Sequence, residues 1–167
     1  MRPTLLSSCA LATTAAEARF RIDGRPQPPR AALVVALDAG AAVIVERLAA
    51  RDWQGARFLR YEPDHADGAR RDLADVVLTS ADGDVPLSEQ LPSTDFMMMI
   101  ATVDDGAEAA TAIGNACTLH GIMTAGLVFA NGGDANAAVS ALRPHARVLL
   151  VSHDEEDAAE VLSAVGA

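Results

Sequence analysis

A three-layer α/β fold, doubly wound around a mostly parallel sheet of about six strands, is what this sequence predicts, and two observations carry it. Six short apolar runs recur after residue 30, most of them unbroken, as in strands buried on both faces. Alanine-rich segments with helical spacing lie between them. Strand alternating with helix implies a parallel sheet with helices on both sides.

The elements follow in chain order. AALVVAL, residues 31–37, is the first strand, and the helical pattern after it runs from Ala41 to Ala50. Trp53, the one tryptophan, is expected to anchor the end of that helix. ARFLRY (56–61) and ADVVLTS (74–80) are the second and third strands. The link between them, EPDHADGARRDL, is short and polar and receives no helix, and ADGDVPLSEQLPST reads as a loop with at most a short helix. DFMMMIATV (95–103) is the fourth strand, and the period of two sends Met97, Met98 and Met99 into core on alternating faces. A helix over Glu108 to His120 leads to the fifth strand, GIMTAGLVFA (121–130). A helix over Asn136 to Leu142, a sixth strand ARVLLVS (146–152) and a helix over Glu155 to Val165 complete the pattern. The first thirty residues differ in kind. RFRIDGRPQPPR sets Asp-Gly between two short segments, a hairpin signal, and follows it with a proline-rich stop. The organisation is thus an N-terminal arm or hairpin over 1–30 and a single α/β domain over 31–167. Arg19, Arg21, Arg25 and Arg30 make the arm locally basic; it reads as a solvated edge hairpin or loose terminus ahead of a nucleic-acid arm, with a subunit contact to an acidic face as the third option.

At 167 residues the chain is long enough to bury one core and short for two. A net charge of −10 weighs against nucleic acid as a partner, because binding to a phosphate backbone rests on a basic surface. All 13 basic residues are arginine. Schiff-base chemistry and the Walker phosphate loop both require a lysine, so both classes are excluded. Cys9 and Cys117 match neither a disulfide framework nor a metal spacing, and no run has the length of a membrane span. The expectation is a cytoplasmic protein with no membrane partner.

In open parallel sheets, ligands bind beyond the carboxyl ends of the strands, near the point where strand order reverses. Those ends carry Asp38 and Gly40; Thr79, Ser80 and Asp82; Asp104, Asp105 and Gly106; Asn131 within NGGD; and His153 with Asp154. Asp38, Gly40, Asp104, Asp105, Gly106, Asn131 and His153 are therefore the candidate ligand residues. Asp38 and Asp104 are the candidate ligands of a divalent cation, for which Mg²⁺ suits oxygen donors. The competing reading is structural: Asp105, Asp134 and Asp154 each stand where a helix should begin, and aspartate is favoured at helix N-caps. Cys117 and His120 have the i, i+3 spacing of a thiol and a base, against the simpler reading of a cysteine packed in a core helix. His65 and His145 fall in surface links without evident partners, and no serine sits in a G-x-S-x-G elbow.

Two stretches carry a family resemblance. VVALDAGAAVIVERLAARDWQGARFLRYEPD has a strand, a loop with Gly40, a helix and a second strand about twenty residues on; DFMMMIATVDDGAEAATAIGNACTLHGIMTAGLVF has a strand, a loop with Gly106, a helix and a strand. Together with ARVLLVSHDEED they resemble the nucleotide-binding half of the tubulin and FtsZ family of GTPases, over Ala32 to Asp157. The resemblance implies that family's N-domain fold and a ligand location at the two loops. In the family these loops are rich in glycine, whereas here they read LDAGAA and TVDDGAEAA. Asp38, Asp104 and Asp105 take room and add negative charge where a triphosphate would sit. The family's second domain has no counterpart, so polymerisation-driven GTP hydrolysis is not expected.

The sequence thus leads to a non-catalytic or weakly ligand-binding α/β protein, a divergent FtsZ-like module acting as a homo-oligomer or through a protein partner. The alternative is a Mg²⁺-dependent enzyme, or a protein binding a nucleotide or small polar ligand at the acidic rim.

Overall fold

Unbroken apolar strands need cover on both sides, and two helical layers supply it. The computed structural model describes residues 29–62, 76–130 and 134–167. In chain order these form β1 (Ala32–Ala36), α1 (Ala39–Ala49), β2 (Ala56–Tyr61), β3 (Val77–Ser80), β4 (Gly83–Pro86), α2 (Leu87–Gln90), β5 (Phe96–Ala101), α3 (Ala107–His120), β6 (Met123–Phe129), α4 (Asn136–Leu142), β7 (Val148–Ser152) and α5 (Glu156–Val165). Single 3₁₀ turns lie at Leu91–Ser93 and Asp104–Gly106. The N-terminal hairpin expected before Pro29, the body of the polar link with His65, and Asn131 fall outside the described residues.

The strands make one sheet in the order β4-β3-β2-β1-β5-β6-β7. From β2 to β7 every neighbouring pair is parallel. Along the central strands Leu33, Val35, Met97 and Met99 enter one core with Leu87 of α2, Ile113 of α3 and Leu142 of α4. Ala32, Val34, Met98 and Ile100 enter the other with Ile44 and Leu48 of α1 and Leu162 of α5. Alternation of the methionines is as the sequence predicts, and each is fully buried. Burying a side chain of this size contributes about 1.5–3 kcal/mol, so this tripeptide stabilises both faces.

Two expectations change at the left of the sheet. Among the described residues seven strands are present where about six were expected, and β3 runs antiparallel to β2, pairing with β4 in a hairpin. Gly83 closes the hairpin at φ +128°, a backbone state that side chains disfavour. Ser80 Oγ donates to the carbonyl of Gly83 and accepts from Asp82 N, which fixes the turn. The stretch read as a loop over 81–94 therefore holds β4, α2 and a 3₁₀ turn. Asp82-Gly83 is the same hairpin signal noted at the N-terminal arm, here hidden by the expectation of a parallel third strand.

Trp53 does anchor α1: its Nε1 donates to Leu48 O at 2.8 Å. His145, expected to be unpartnered, instead packs its ring on Gly114 of α3, with Nδ1 3.3 Å from Thr118 Oγ1. Alanine at 114 would improve helix propensity by about 1 kcal/mol. Its Cβ would, however, lie 2.3 Å from the His145 ring, and overpacking costs about 1–3 kcal/mol. Gly114→Ala is therefore expected to lower stability in urea denaturation. In a His145→Ala background the same change should raise it, and a cycle without that reversal of sign would refute the contact.

Candidate functional site

The order of strands reverses between β1 and β5, so the loops leaving these two strands frame the expected crevice. Asp38 follows β1 and caps α1, accepting from Ala41 N at 2.8 Å through Oδ1. The same carboxylate reaches across to the exit of β5. Thr102 Oγ1 donates to Oδ1 at 2.6 Å, and the amides of Thr102 and Val103 donate to Oδ2 at 2.6 and 3.2 Å. A carboxylate offers about four lone-pair sites, and here four donors fill them. Asp38 is 7% exposed. This residue, expected as a cation ligand, accepts four hydrogen bonds from N–H and O–H groups of the scaffold, with which a cation would compete.

The glycines of the two loops have packing reasons. A Cβ on Gly40 would lie 2.2 Å from Thr102 Oγ1, the group that donates to Asp38. A Cβ on Gly106 would lie 2.5 Å from the Leu37 Cβ and 2.6 Å from its carbonyl oxygen. Each glycine lets one loop close against the other. The space a side chain would take at either glycine is occupied by protein atoms.

Asp104 stands at the start of the 3₁₀ turn after β5, and its Oδ1 accepts from Ala138 N of α4 at 2.9 Å. It caps a helix thirty-four residues away. Asp105 is exposed and makes no side-chain cap, because α3 begins from Gly106 without one. The capping expectation thus fails at Asp105. Asp134 and Asp154 stand one residue before the caps Ala135 and Glu155 and accept from the amide two residues on, Asn136 N at 3.3 Å and Glu156 N at 2.9 Å, so they support the helix starts without being their N-caps. His153 is exposed beyond β7, two strands from β5. The structure gathers Asp38, Gly40 and Gly106 at the switch point, with Asp104 beside them; His153 stands apart.

Among the described residues, no group of three or more His, Cys, Asp or Glu side chains could hold a metal ion. Sequence reasoning missed Thr102, the central donor. Its one signal is a polar residue directly after the apolar run MMMIA.

Cys117 is buried in α3, whereas His120 is exposed. Burial pushes the thiol from its ordinary 9.0 up to about 11, against a smaller downward pull from a Thr124 hydrogen bond. A raised thiol pKa keeps the protein's neutral form favoured. Its contribution to stability is complete below pH 9.0 and is lost as pH rises towards about 11.

No family model matches the chain, and a search of curated proteins gives no match. Among solved structures the chain is similar to a protein of Burkholderia pseudomallei described as pilus assembly-related, with 19% identity over 81% of this chain and 90% of that chain and a TM-score of 0.42.

Two outcomes test the site. Asp38→Ala leaves the buried amide of Ala41 and the half-buried amides of Thr102 and Val103 short of an acceptor and is expected to cost at least about 1–3 kcal/mol, while Asp105→Ala stays within about 0.5 kcal/mol; urea denaturation compares them. In a Cys9→Ser background, a thiol reagent at neutral pH should label Cys117 only as fast as the protein opens, and labelling at the rate of a free peptide thiol would contradict its burial.

Proposed function

We propose that this chain is a non-catalytic α/β module that acts by associating with itself or with a protein partner. One observation carries the reading: at the switch point Asp38 is engaged by four donors of its own scaffold and Gly40 is closed against Thr102. To take a metal ion or a substrate proton, Asp38 would have to give up one of these donors.

The frame is read as doubly wound and Rossmann-like, and the tubulin/FtsZ resemblance as its ancestry. Reversal of strand order at β1 and β5, with helices on both faces, supports this. The antiparallel β3 weighs against a full Rossmann order, and the five parallel strands taken alone follow the flavodoxin-like order 2-1-3-4-5. A reducing, cytoplasmic setting suits a buried Cys117 without a disulfide. The second reading, a Mg²⁺-dependent or small-ligand site at the rim, rests on Asp105, which is exposed and free of hydrogen bonds among the described residues.

Thermal shift with Mg²⁺, Mn²⁺, GTP and ATP separates the two. A ligand at one hundred times its Kd stabilises a protein by about 2.7 kcal/mol, a shift readily seen at this size. No shift is expected. A shift with any of these, abolished by Asp105→Ala, would favour the ligand reading and overturn the first.

A further inference from the structure

The two ends of the sheet are built differently. β4, at one end, is four residues long and carries Gly83, Asp84 and Pro86, a charge and a proline of the kind that blunt an edge. β7, at the other, reads Val-Leu-Leu-Val-Ser, with no charge and no proline. Val148 and Val151 are 45% and 58% exposed there, while most other large apolar side chains among the described residues are covered. Among the described residues no strand pairs with the outer edge of β7.

We infer that the outer edge of β7 pairs antiparallel with β7 of a second copy, about a two-fold axis through Leu150. Backbone geometry sets the register. Arg147 N donates to Thr124 O of β6, so alternation along the strand turns the amides and carbonyls of Val148, Leu150 and Ser152 away from β6. Centring on Leu150 places these outward groups opposite one another, Val148 facing Ser152 of the copy and Leu150 facing its own counterpart. The same axis sets Leu149 against Val151, an apolar pair on one face.

Charge identifies the occupant as a second copy. Arg143 and Arg147 stand exposed at the entry to β7, and neither has an ion-pair partner among the described residues. Asp154, Glu155, Glu156 and Asp157 follow its exit; Glu155 and Glu156 pair with Arg47 and Arg51, Asp157 accepts from Ser152 Oγ, and the exposed Asp154 has no ion-pair partner among the described residues. In this register Arg147 of each copy faces His153 of the other and lies next to its exposed Asp154, so a basic strand entry meets an acidic strand exit at both ends of the pair, as a self-complementary interface requires.

This inference rests on the self-association reading and names the surface that would carry it. Two measurements on the full chain test it and separate the two failures. Sedimentation velocity across a dilution series is expected to show a monomer–dimer equilibrium. It should shift to monomer in Val148→Lys/Val151→Lys, with a wild-type urea midpoint as the control of fold. Residue-resolved hydrogen exchange on the wild type needs no variant: Val148, Leu150 and Ser152 amides should gain protection with concentration, while Leu149 and Val151 stay protected throughout. A dimer in which the three outward amides remain unprotected overturns the β7 interface and leaves self-association standing. A strict monomer overturns both, and protection of those amides independent of dilution assigns the edge to another segment of the same chain and overturns the inference.

Discussion

Everything at the crevice depends on the carboxylate of Asp38. One side chain caps α1, fixes the hydroxyl of Thr102 and orders the first two amides after β5. The loops it joins are sixty-four residues apart in sequence. Hydrogen bonds to a charged acceptor contribute about 1.5–3 kcal/mol each, more than neutral ones, so four of them offset the cost of placing this carboxylate at 7% exposure. Gly40 and Gly106 follow from it, because the loops close only if neither carries a Cβ. Asp104 extends the same arrangement one helix further, to Ala138 of α4.

Beneath that junction the sheet supplies rigidity. β1, β5 and β6 are buried on both faces, and their side chains divide between two cores that α1 with α5, and α2 with α3 and α4, close off. Packing of this density transmits a displaced loop into neighbouring elements rather than absorbing it. The surface ion pairs Arg47–Glu155 and Arg51–Glu156 join α1 to the region of α5, yet both are exposed. Arg51 holds the Glu156 carboxyl below its ordinary range through a direct hydrogen bond, an effect that salt screens. Burial of apolar surface, not these pairs, holds the two helices on the sheet.

The parts of this fold that were legible in the sequence are those whose cause is local. The period of two placed Met97, Met98 and Met99 on alternating faces, and the apolar runs located the parallel strands, because strand geometry acts between neighbours in sequence. Asp154 could be read as a helix-start residue because its acceptor serves an amide two residues on. Asp38 and Asp104 could not, since Thr102 and Ala138 reach them only through the folded sheet. An aspartate after a strand looks the same in sequence whether a cation or a set of amides fills its oxygens. The hairpin of β3 and β4 had its signal in Asp82-Gly83, but strand alternating with helix also describes the chain on both sides of it, and that pattern was applied across the gap.

A sheet with one blunted edge and one open edge limits what self-association can build. Pairing through both edges would propagate copies without end, as heterologous contacts do. Here Asp84 and Pro86 interrupt β4, and among the described residues β7 is the edge strand that presents an uncharged run of backbone groups. Two copies joined at β7 would bury the open edge of each and leave β4 at both ends, so assembly by this route closes at two. A net charge of −10 acts in the same direction, since it repels copies everywhere except where a basic end meets an acidic one. Around β7 Arg143 and Arg147 provide the basic end, so the contact that geometry allows is also the one that charge opposes least.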